Sequence, residues 1–278
     1  MENAALFIAG FIIGTFGTLI GAGGGFILVP LLLIFFPQLD PEVTTAISIA
    51  VVAVNAVSGS AAYARSGRID YKAGVVFALY TIPGSILGVL TVQYIPRQWF
   101  NTVFGVLLLL LSGYLFYKNR KKTAHITEPE IRKGCKQHTL TDREGITYFY
   151  SYNQMYGNIV SMVVGYISPL LGIGGGIIHV PAMVNWLKFP VRIATATSHF
   201  ILAVMATVSV LTHAINGTYN DSHILHMILF LALGVVPGAQ LGAKLSHKIK
   251  SHVILQVLAG CLVIVGIRIL ACSFLSCD

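Results

Sequence analysis

Residues 21–30 read GAGGGFILVP, and the same pattern returns at residues 172–181 as GIGGGIIHVP. Each copy interrupts a long apolar segment. Backbone groups that leave a helix inside a bilayer have no water to bond, so broken helices persist there only where they are buried in protein or line a polar cavity. Two breaks at matching positions of two halves are typical of secondary transporters, which bind their substrate between them.

The composition is that of a protein with many membrane-spanning helices. Of the 278 residues, 55% are hydrophobic and only 10% are charged, whereas soluble domains carry about 25% charged residues. The sequence therefore predicts an all-α polytopic protein of the cell (inner) membrane, with no large soluble domain. The apolar segments, most of them long enough for the roughly 20 residues of a helical span, lie at 4–36, 43–64, 73–95, 99–117, 158–187, 193–214, 223–243 and 252–275.

The duplication extends beyond the glycines. Residues 45–48 (TAIS) return as residues 195–198 (TATS), and residues 83–88 (PGSILG) return as residues 237–242 (PGAQLG), in the same order. Internal repeats take priority over other patterns, because a missed repeat misassigns the whole fold. We therefore predict an N-terminal membrane repeat at 1–117, a connector at 118–156 and a C-terminal membrane repeat at 157–278.

The basic residues indicate how the two repeats are oriented. If segments one and five are re-entrant hairpins, the basic connector shares its side of the membrane with every other loop arginine and lysine except Arg97. Because Lys and Arg concentrate in short cytoplasmic loops, we predict two repeats of opposite topology, each beginning with a broken or re-entrant glycine-tipped segment, and a cytoplasmic connector. The alternative is a single tilted, kinked helix through residues 4–36. The basic loop residues that join the connector are Arg65, Arg68, Lys72, Lys188, Arg192, Lys244, Lys248 and Lys250.

The glycine breaks suit an anion better than a cation. All ten acidic residues lie in predicted loops, interfaces or termini, whereas cation carriers usually place carboxylates within their spans. A helix that begins after a glycine break exposes free N–H donors and the positive end of its dipole. We predict that a small anion binds there near mid-membrane; tight helix packing through small residues is the alternative. The glycines concerned are Gly23, Gly24, Gly25, Gly174, Gly175 and Gly176.

Polar side chains follow each break. Hydroxyl residues near the start of the next segment can donate to oxyanions, or to their own helix backbone. His179 and His199 are the only ionisable residues near the two motifs, and the first repeat has Leu28 and Ile49 in their places. An ionisable residue inside a membrane is a functional candidate; a structural hydrogen-bond donor is the alternative. The candidate hydroxyl residues are Thr45, Ser48, Thr195 and Ser198.

Other features narrow the function classes. The four cysteines show no C-x-x-C spacing, so we expect no metal and no cofactor. No serine or aspartate pair is positioned for an intramembrane enzyme, and the net charge of +8 fits cytoplasmic loops better than a nucleic-acid partner. The aromatic residues at 148–156 are interpreted as an interfacial belt. The expected partners are a small anionic substrate and membrane lipid, and a homo-oligomer is left open.

The repeated motifs resemble those of the sulfite exporter TauE/SafE family of membrane permeases. The resemblance rests on two G-x-G-G-G-x-x-x-V-P stretches, each leading to T-A-x-S and then P-G-x-x-L-G, and it covers nearly the whole chain. It implies a secondary transporter or exporter of small sulfur-containing anions, such as sulfite or an organosulfonate. It extends to the glycines but to neither His179 nor His199. An anion channel with the same site as its selectivity filter is the alternative.

Overall fold

The protein is helical, with one short β-hairpin. The computed structural model describes residues 2–120, 136–246, 260, 263 and 266–270. The four cysteines and most of the predicted segment at 252–275 lie outside these residues. The described elements are α1 (Glu2–Ile20), α2 (Gly25–Phe35), α3 (Pro41–Ser66), α4 (Tyr71–Val92), α5 (Arg97–Arg120), β1 (Lys136–Thr141), β2 (Thr147–Tyr152), α6 (Gln154–Leu171), α7 (Gly176–Asn185), α8 (Val191–Ile215) and α9 (Ser222–Leu245).

Five of the described helices, α1, α3, α4, α8 and α9, are long and apolar enough to cross a membrane. The prediction of an all-α polytopic membrane protein is thereby confirmed in its main part. Helices α2 and α7 are also apolar but have only 11 and 10 residues. At about 1.5 Å per residue, a helix of this length reaches only about halfway through a bilayer.

Short glycine loops join α1 to α2 and α6 to α7. Helix α1 ends at Ile20 and α2 begins at Gly25, while α6 ends at Leu171 and α7 begins at Gly176. Gly23 has a φ of 80° and Gly174 a φ of 71°. Glycine adopts this left-handed conformation at no steric cost, whereas a residue with a Cβ atom is strained there. The glycine stretches therefore permit two turns that other residues would resist.

Helix α1 packs along α9, and the two run in the same direction. A Cβ atom at Gly10 would collide with the carbonyl oxygen of Leu231, and one at Gly14 would lie 2.7 Å from the carbonyl oxygen of Val235. The contact residue on α9 thus advances as the chain advances along α1. Small residues that bring backbones this close are typical of helix contacts in membranes.

Helices α4 and α6 form the same kind of parallel pair. A Cβ atom at Gly84 would lie 2.6 Å from the carbonyl oxygen of Met162, and one at Gly88 would collide with that of Tyr166. The first long helix of each half therefore packs against the helix with the P-G-x-x-L-G motif in the other half.

Helices α3 and α8 cross the centre of the protein in opposite directions. At one end, the Tyr219 hydroxyl beyond α8 donates to the carbonyl oxygen of Ala46 near the start of α3, at 3.0 Å. At the other end, the Asp70 N–H beyond α3 donates to Thr197 Oγ1 near the start of α8, also at 3.0 Å. The start of each helix therefore lies beside the end of the other.

The connector contains an antiparallel hairpin of β1 and β2, which the sequence analysis did not predict. The aromatic residues of β2 do not all form an interfacial belt, as we had interpreted them. Tyr150 and Tyr152 are buried, and their ring centroids lie 4.7 and 4.8 Å from that of Phe189. Burial of these two alternate residues is the period-two pattern of a strand with one covered face.

Buried charges fix the hairpin to the loop between α3 and α4. Arg68 Nε lies 3.3 Å from Asp142 Oδ2, and Arg68 Nη2 lies 2.9 Å from Glu144 Oε2. Asp70 accepts a 2.6 Å hydrogen bond from the Tyr150 hydroxyl. Burial on its own raises the pKa of Asp142, but the Ile146 N–H and the Arg68 guanidinium outweigh this effect and hold the pKa below its usual value.

Candidate functional site

The two glycine loops lie against each other in the interior. A Cβ atom at Gly25 would collide with the carbonyl oxygen of Gly172, and one at Gly176 would collide with that of Gly21. All residues of both loops are buried. Ala22 and Ile173, one from each loop, belong to a single apolar cluster that also includes residues of α5. The two sets of candidate glycines are thus neighbours, and apolar side chains surround the loops.

Both helices that follow the loops begin with free N–H groups. Leu28 donates its N–H to the Gly24 carbonyl and His179 to the Gly175 carbonyl, but in the described chain the N–H groups of residues 24–26 and 174–176 donate to no backbone acceptor. Neither helix start has a side-chain cap. Uncapped N–H groups carry the positive end of the helix dipole, so both helix starts present partial positive charge to the interior.

Three of the four candidate hydroxyls already have protein partners. Ser48 Oγ donates to the Gly172 carbonyl oxygen at 2.6 Å and so holds the second loop. Thr45 and Thr195 donate to carbonyl oxygens of their own helices, which was the stated alternative. Ser198 differs, because its Oγ is buried and has no hydrogen-bond partner.

Ser198 lines a small cavity beside the start of α7. Gly175, Gly176, Thr81 and His179 also line it, and its other lining side chains are aliphatic or thioether groups. In this conformation the cavity has room for little more than a water molecule. The candidate residues Gly175, Gly176, His179 and Ser198 are therefore brought together at one small cavity, whose exposed wall is mostly apolar.

His179 is held by a hydrogen bond that the sequence analysis did not predict. Its Nε2 lies 3.1 Å from Ser161 Oγ, and Ser161 itself donates to the Gly157 carbonyl oxygen at 2.8 Å. A second unpartnered hydroxyl, that of Ser168, lies near Gly175. Ser161 and Ser168 are seven residues apart on α6 and so share a helix face, a spacing that could have singled them out in the sequence.

His199 lies in a different polar cluster, which supports the first glycine loop. Its Nε2 is 3.3 Å from Thr18 Oγ1, and the Thr18 hydroxyl donates to Asn55 Oδ1 at 2.8 Å. Asn55 Nδ2 then donates to the Gly23 carbonyl oxygen at 2.7 Å. The cluster connects α1, α3 and α8. Neither Thr18 nor Asn55 was a sequence candidate, because their roles depend on contacts between distant segments.

Comparison with known proteins assigns the chain to a family. The sequence model described as sulfite exporter TauE/SafE matches residues 6–269. The chain belongs to the sulfite exporter TauE/SafE family. It is 31% identical over 280 residues to the probable membrane transporter protein YunE of Bacillus subtilis, covering 97% of this chain and 98% of that protein. It is also 26% identical over 275 residues to a probable membrane transporter protein of Methanocaldococcus jannaschii, covering 95% and 94%. No solved structure matches the chain.

Three described carboxylates of this TauE/SafE transporter lie at helix ends. Asp70 accepts the Ala73 N–H at the start of α4, and Asp221 accepts the His223 N–H at the start of α9. Glu42, in the first turn of α3, accepts the Thr218 hydroxyl. In the described part of the chain, no three His, Cys, Asp or Glu side chains are grouped so as to hold a metal ion.

Proposed function

We propose that this protein is a secondary transporter of small sulfur-containing anions, such as sulfite or an organosulfonate, and that it binds the anion at mid-membrane between its two glycine loops. The observation that carries the proposal is the meeting of two uncapped helix starts whose first N–H groups donate to no backbone acceptor. The family description supplies the substrate class, because it names sulfite export. The relatives' names support transport as the activity.

The donors at the helix starts offset part of the cost of removing an anion from water. A hydrogen bond to a charged group contributes about 1.5–3 kcal/mol net. Several such bonds, with no carboxylate among the residues lining the cavity, suit a compact oxyanion that has an acceptor oxygen on each side.

Two repeats of opposite topology account for the helix pairing. Helices α3 and α8 carry the same T-A-x-S motif and run in opposite directions. The α1–α9 pair corresponds to the α6–α4 pair, as expected if a two-fold axis in the membrane plane relates the halves. Ser58 of α3 bonds to Val236 and Gln240 of α9, and α9 reverses the direction of α8. Helix α9 therefore runs the same way as α3, and so does α1, which is parallel to α9. The short α2 must then return to the side on which α1 entered, so α1 and α2 together form a re-entrant hairpin.

The contacts of the β1–β2 hairpin support a cytoplasmic location for the connector. The hairpin contacts the α3–α4 loop through Arg68 and the α7–α8 loop through Phe189. Lys188 lies in the second of these loops. Arg65, Lys72 and Arg192 lie in the helix ends beside the two loops. Since basic loops concentrate on the cytoplasmic side, a shared face for the connector and both loops fits that orientation.

The test is sulfite binding and sulfite flux in liposomes that contain the purified protein. In Gly175→Ala, the added Cβ atom would lie 2.8 Å from Val164 Cγ1 and 3.3 Å from Ser168 Oγ, while the φ of −50° tolerates alanine. We expect the variant to fold and to lose most sulfite binding. Gly113→Ala is the matched control, because nothing lies within 4 Å of its added Cβ atom. Normal sulfite binding by Gly175→Ala would place the site elsewhere.

A further inference from the structure

At the start of α2, three residues that match the lining of the cavity beside α7 are aliphatic. His179 follows Gly175 by four residues, just as Leu28 follows Gly24, and Thr81 precedes Pro83 by two residues, just as Val235 precedes Pro237. Leu28 and Val235 lie in one buried apolar cluster together with Ile13, the counterpart of Val164. Where the second repeat has His179 and Thr81 at a cavity, the first therefore has the packed aliphatic side chains of Leu28 and Val235.

Ser198 supplies a donor that the protein itself leaves unused. Its side chain is 1% exposed, its Oγ has no partner, and it lines the cavity together with the first residues of α7. Buried polar atoms are almost always hydrogen-bonded, and an exception calls for a partner such as water or a ligand. Once the cavity widens to admit an anion, an oxygen of that anion would accept from Ser198 and from the N–H groups of Gly175 and Gly176, which line the cavity.

The contact with Ser161 bears on which nitrogen of His179 carries a proton. We assign the single hydroxyl proton of Ser161 to its shorter contact, the 2.8 Å one with the Gly157 carbonyl oxygen, which leaves Ser161 Oγ as an acceptor for His179. With this assignment His179 Nε2 is protonated, and in the neutral ring Nδ1 is an acceptor. An acceptor next to an anion repels it unless a proton lies between them.

We propose that the anion binds on the α7 side of the glycine loops, and that His179 couples its binding to one proton. The proton lies between His179 Nδ1 and an oxygen of the anion. A protonated oxyanion such as hydrogen sulfite brings the proton itself, whereas a sulfonate, which has none, binds together with a proton taken up from water. The proposal rests on the proposed function and adds the location of the site and the charge of the bound species.

No other titratable group faces the ring of His179 in the described structure. Ser161 contacts it from α6, Phe77 from α4 and Ser198 shares the cavity from α8. Tyr152 of the hairpin lies behind Phe77, with ring centroids 5.8 Å apart. His199 directs Nε2 at Thr18 instead. Among the described residues, His179 is therefore the titratable side chain that lines the cavity.

The experiment is calorimetry of methanesulfonate and sulfite binding to the full-length protein in nanodiscs. Methanesulfonate keeps one charge throughout the titration, so its affinity reports only on the protein. We expect its Kd to rise by up to about tenfold per pH unit between about pH 5 and pH 8, and we expect His179→Gln to abolish this slope. His226→Gln, at an exposed position on α9, is the control and should keep the wild-type slope.

Two further measurements do not depend on the folding of the histidine variant. Calorimetry in buffers of different ionisation enthalpy counts the protons bound per methanesulfonate, and we expect one in the alkaline part of the range. Ser198→Ala should weaken binding at least tenfold at every pH while keeping the slope. Ser209 is another buried serine on α8, and its Oγ donates to the Met205 carbonyl oxygen. Ser209→Ala should change neither the affinity nor its slope with pH.

The outcomes separate the two proposals. Zero protons bound, or the same slope in wild type and His179→Gln, overturns the coupling. Unchanged affinity in Ser198→Ala overturns the location on the α7 side. If only sulfite binds, the dependence of its Kd on pH is compared between wild type and His179→Gln. The ionisation of sulfite itself affects both proteins equally, so equal slopes overturn the coupling here too. If neither anion binds at any pH, the proposed function itself fails.

Discussion

Arg68→Met should loosen the connector hairpin from the membrane helices. The Arg68 side chain is 2% exposed, and its partner Asp142 has a fully buried carboxylate. Methionine keeps the apolar stem but leaves Asp142 buried without a cation, and removal of one partner of a buried ion pair costs about 3–5 kcal/mol. We expect about 3 kcal/mol, the lower end of that range, because the N–H groups of Glu144 and Ile146 still bond to Asp142. Glu144 adds little, since its side chain is 56% exposed.

Hydrogen exchange of the β1 and β2 amides measures this loss directly. A cost of about 3 kcal/mol raises the population of the open hairpin, and hence the exchange rate, by about a hundredfold. Arg65→Met changes an exposed arginine at the end of α3 and should leave the rate unaltered. Arg68→Met combined with Asp142→Leu should recover part of the protection, because no charge is then buried alone. Wild-type exchange in Arg68→Met would refute the assignment of the ion pair as the anchor.

Two further predictions concern pH and topology. The pKa of Asp142 is lower in the folded protein than its ordinary value of 3.8. The stabilisation by Asp142 is therefore complete above that value and is lost as the pH falls through the folded pKa. Hairpin exchange should accelerate at that low pH, and Asp142→Asn should remove the acceleration. In a chain without native cysteines, single cysteines at Asn3 and Gln38 should react with an impermeant maleimide from the same side of the membrane, and one at Thr147 from the opposite side. Labelling of Asn3 and Gln38 from opposite sides would contradict the re-entrant hairpin.

Hydropathy and the glycine motifs predicted much of the fold, because each acts over short range. Long apolar runs give helices in a bilayer without reference to distant residues, and α3, α4, α8 and α9 lie within or around the predicted segments. The hairpin was missed because its strands are only six residues long and lie in a polar connector. Its stability depends on Phe189 and Arg68, whose contacts with it are invisible in the sequence.

The candidate site was predictable in its backbone and not in its side chains. Glycine repeats indicate loops and free helix starts wherever they occur. Whether a hydroxyl faces a ligand or a carbonyl depends on what packs beside it: Ser48 and Ser198 occupy matching positions, yet only Ser48 reaches the opposite loop. Likewise, nothing in the sequence near His179 shows that Ser161, eighteen residues earlier, sets its hydrogen bond.

The contact between the loops makes the two repeats sterically dependent on each other at their helix starts. Gly25 packs on the carbonyl of Gly172, and Gly176 packs on that of Gly21, so each loop needs the absence of a Cβ atom in the other. Such reciprocal contacts preserve the backbone of both repeats while leaving the surrounding side chains free to differ. Leu28 packs in an aliphatic cluster at one helix start, whereas His179 lines a cavity at the other, and the glycine contacts are reciprocal. The asymmetric site that we propose follows from this division between glycine contacts and side-chain packing.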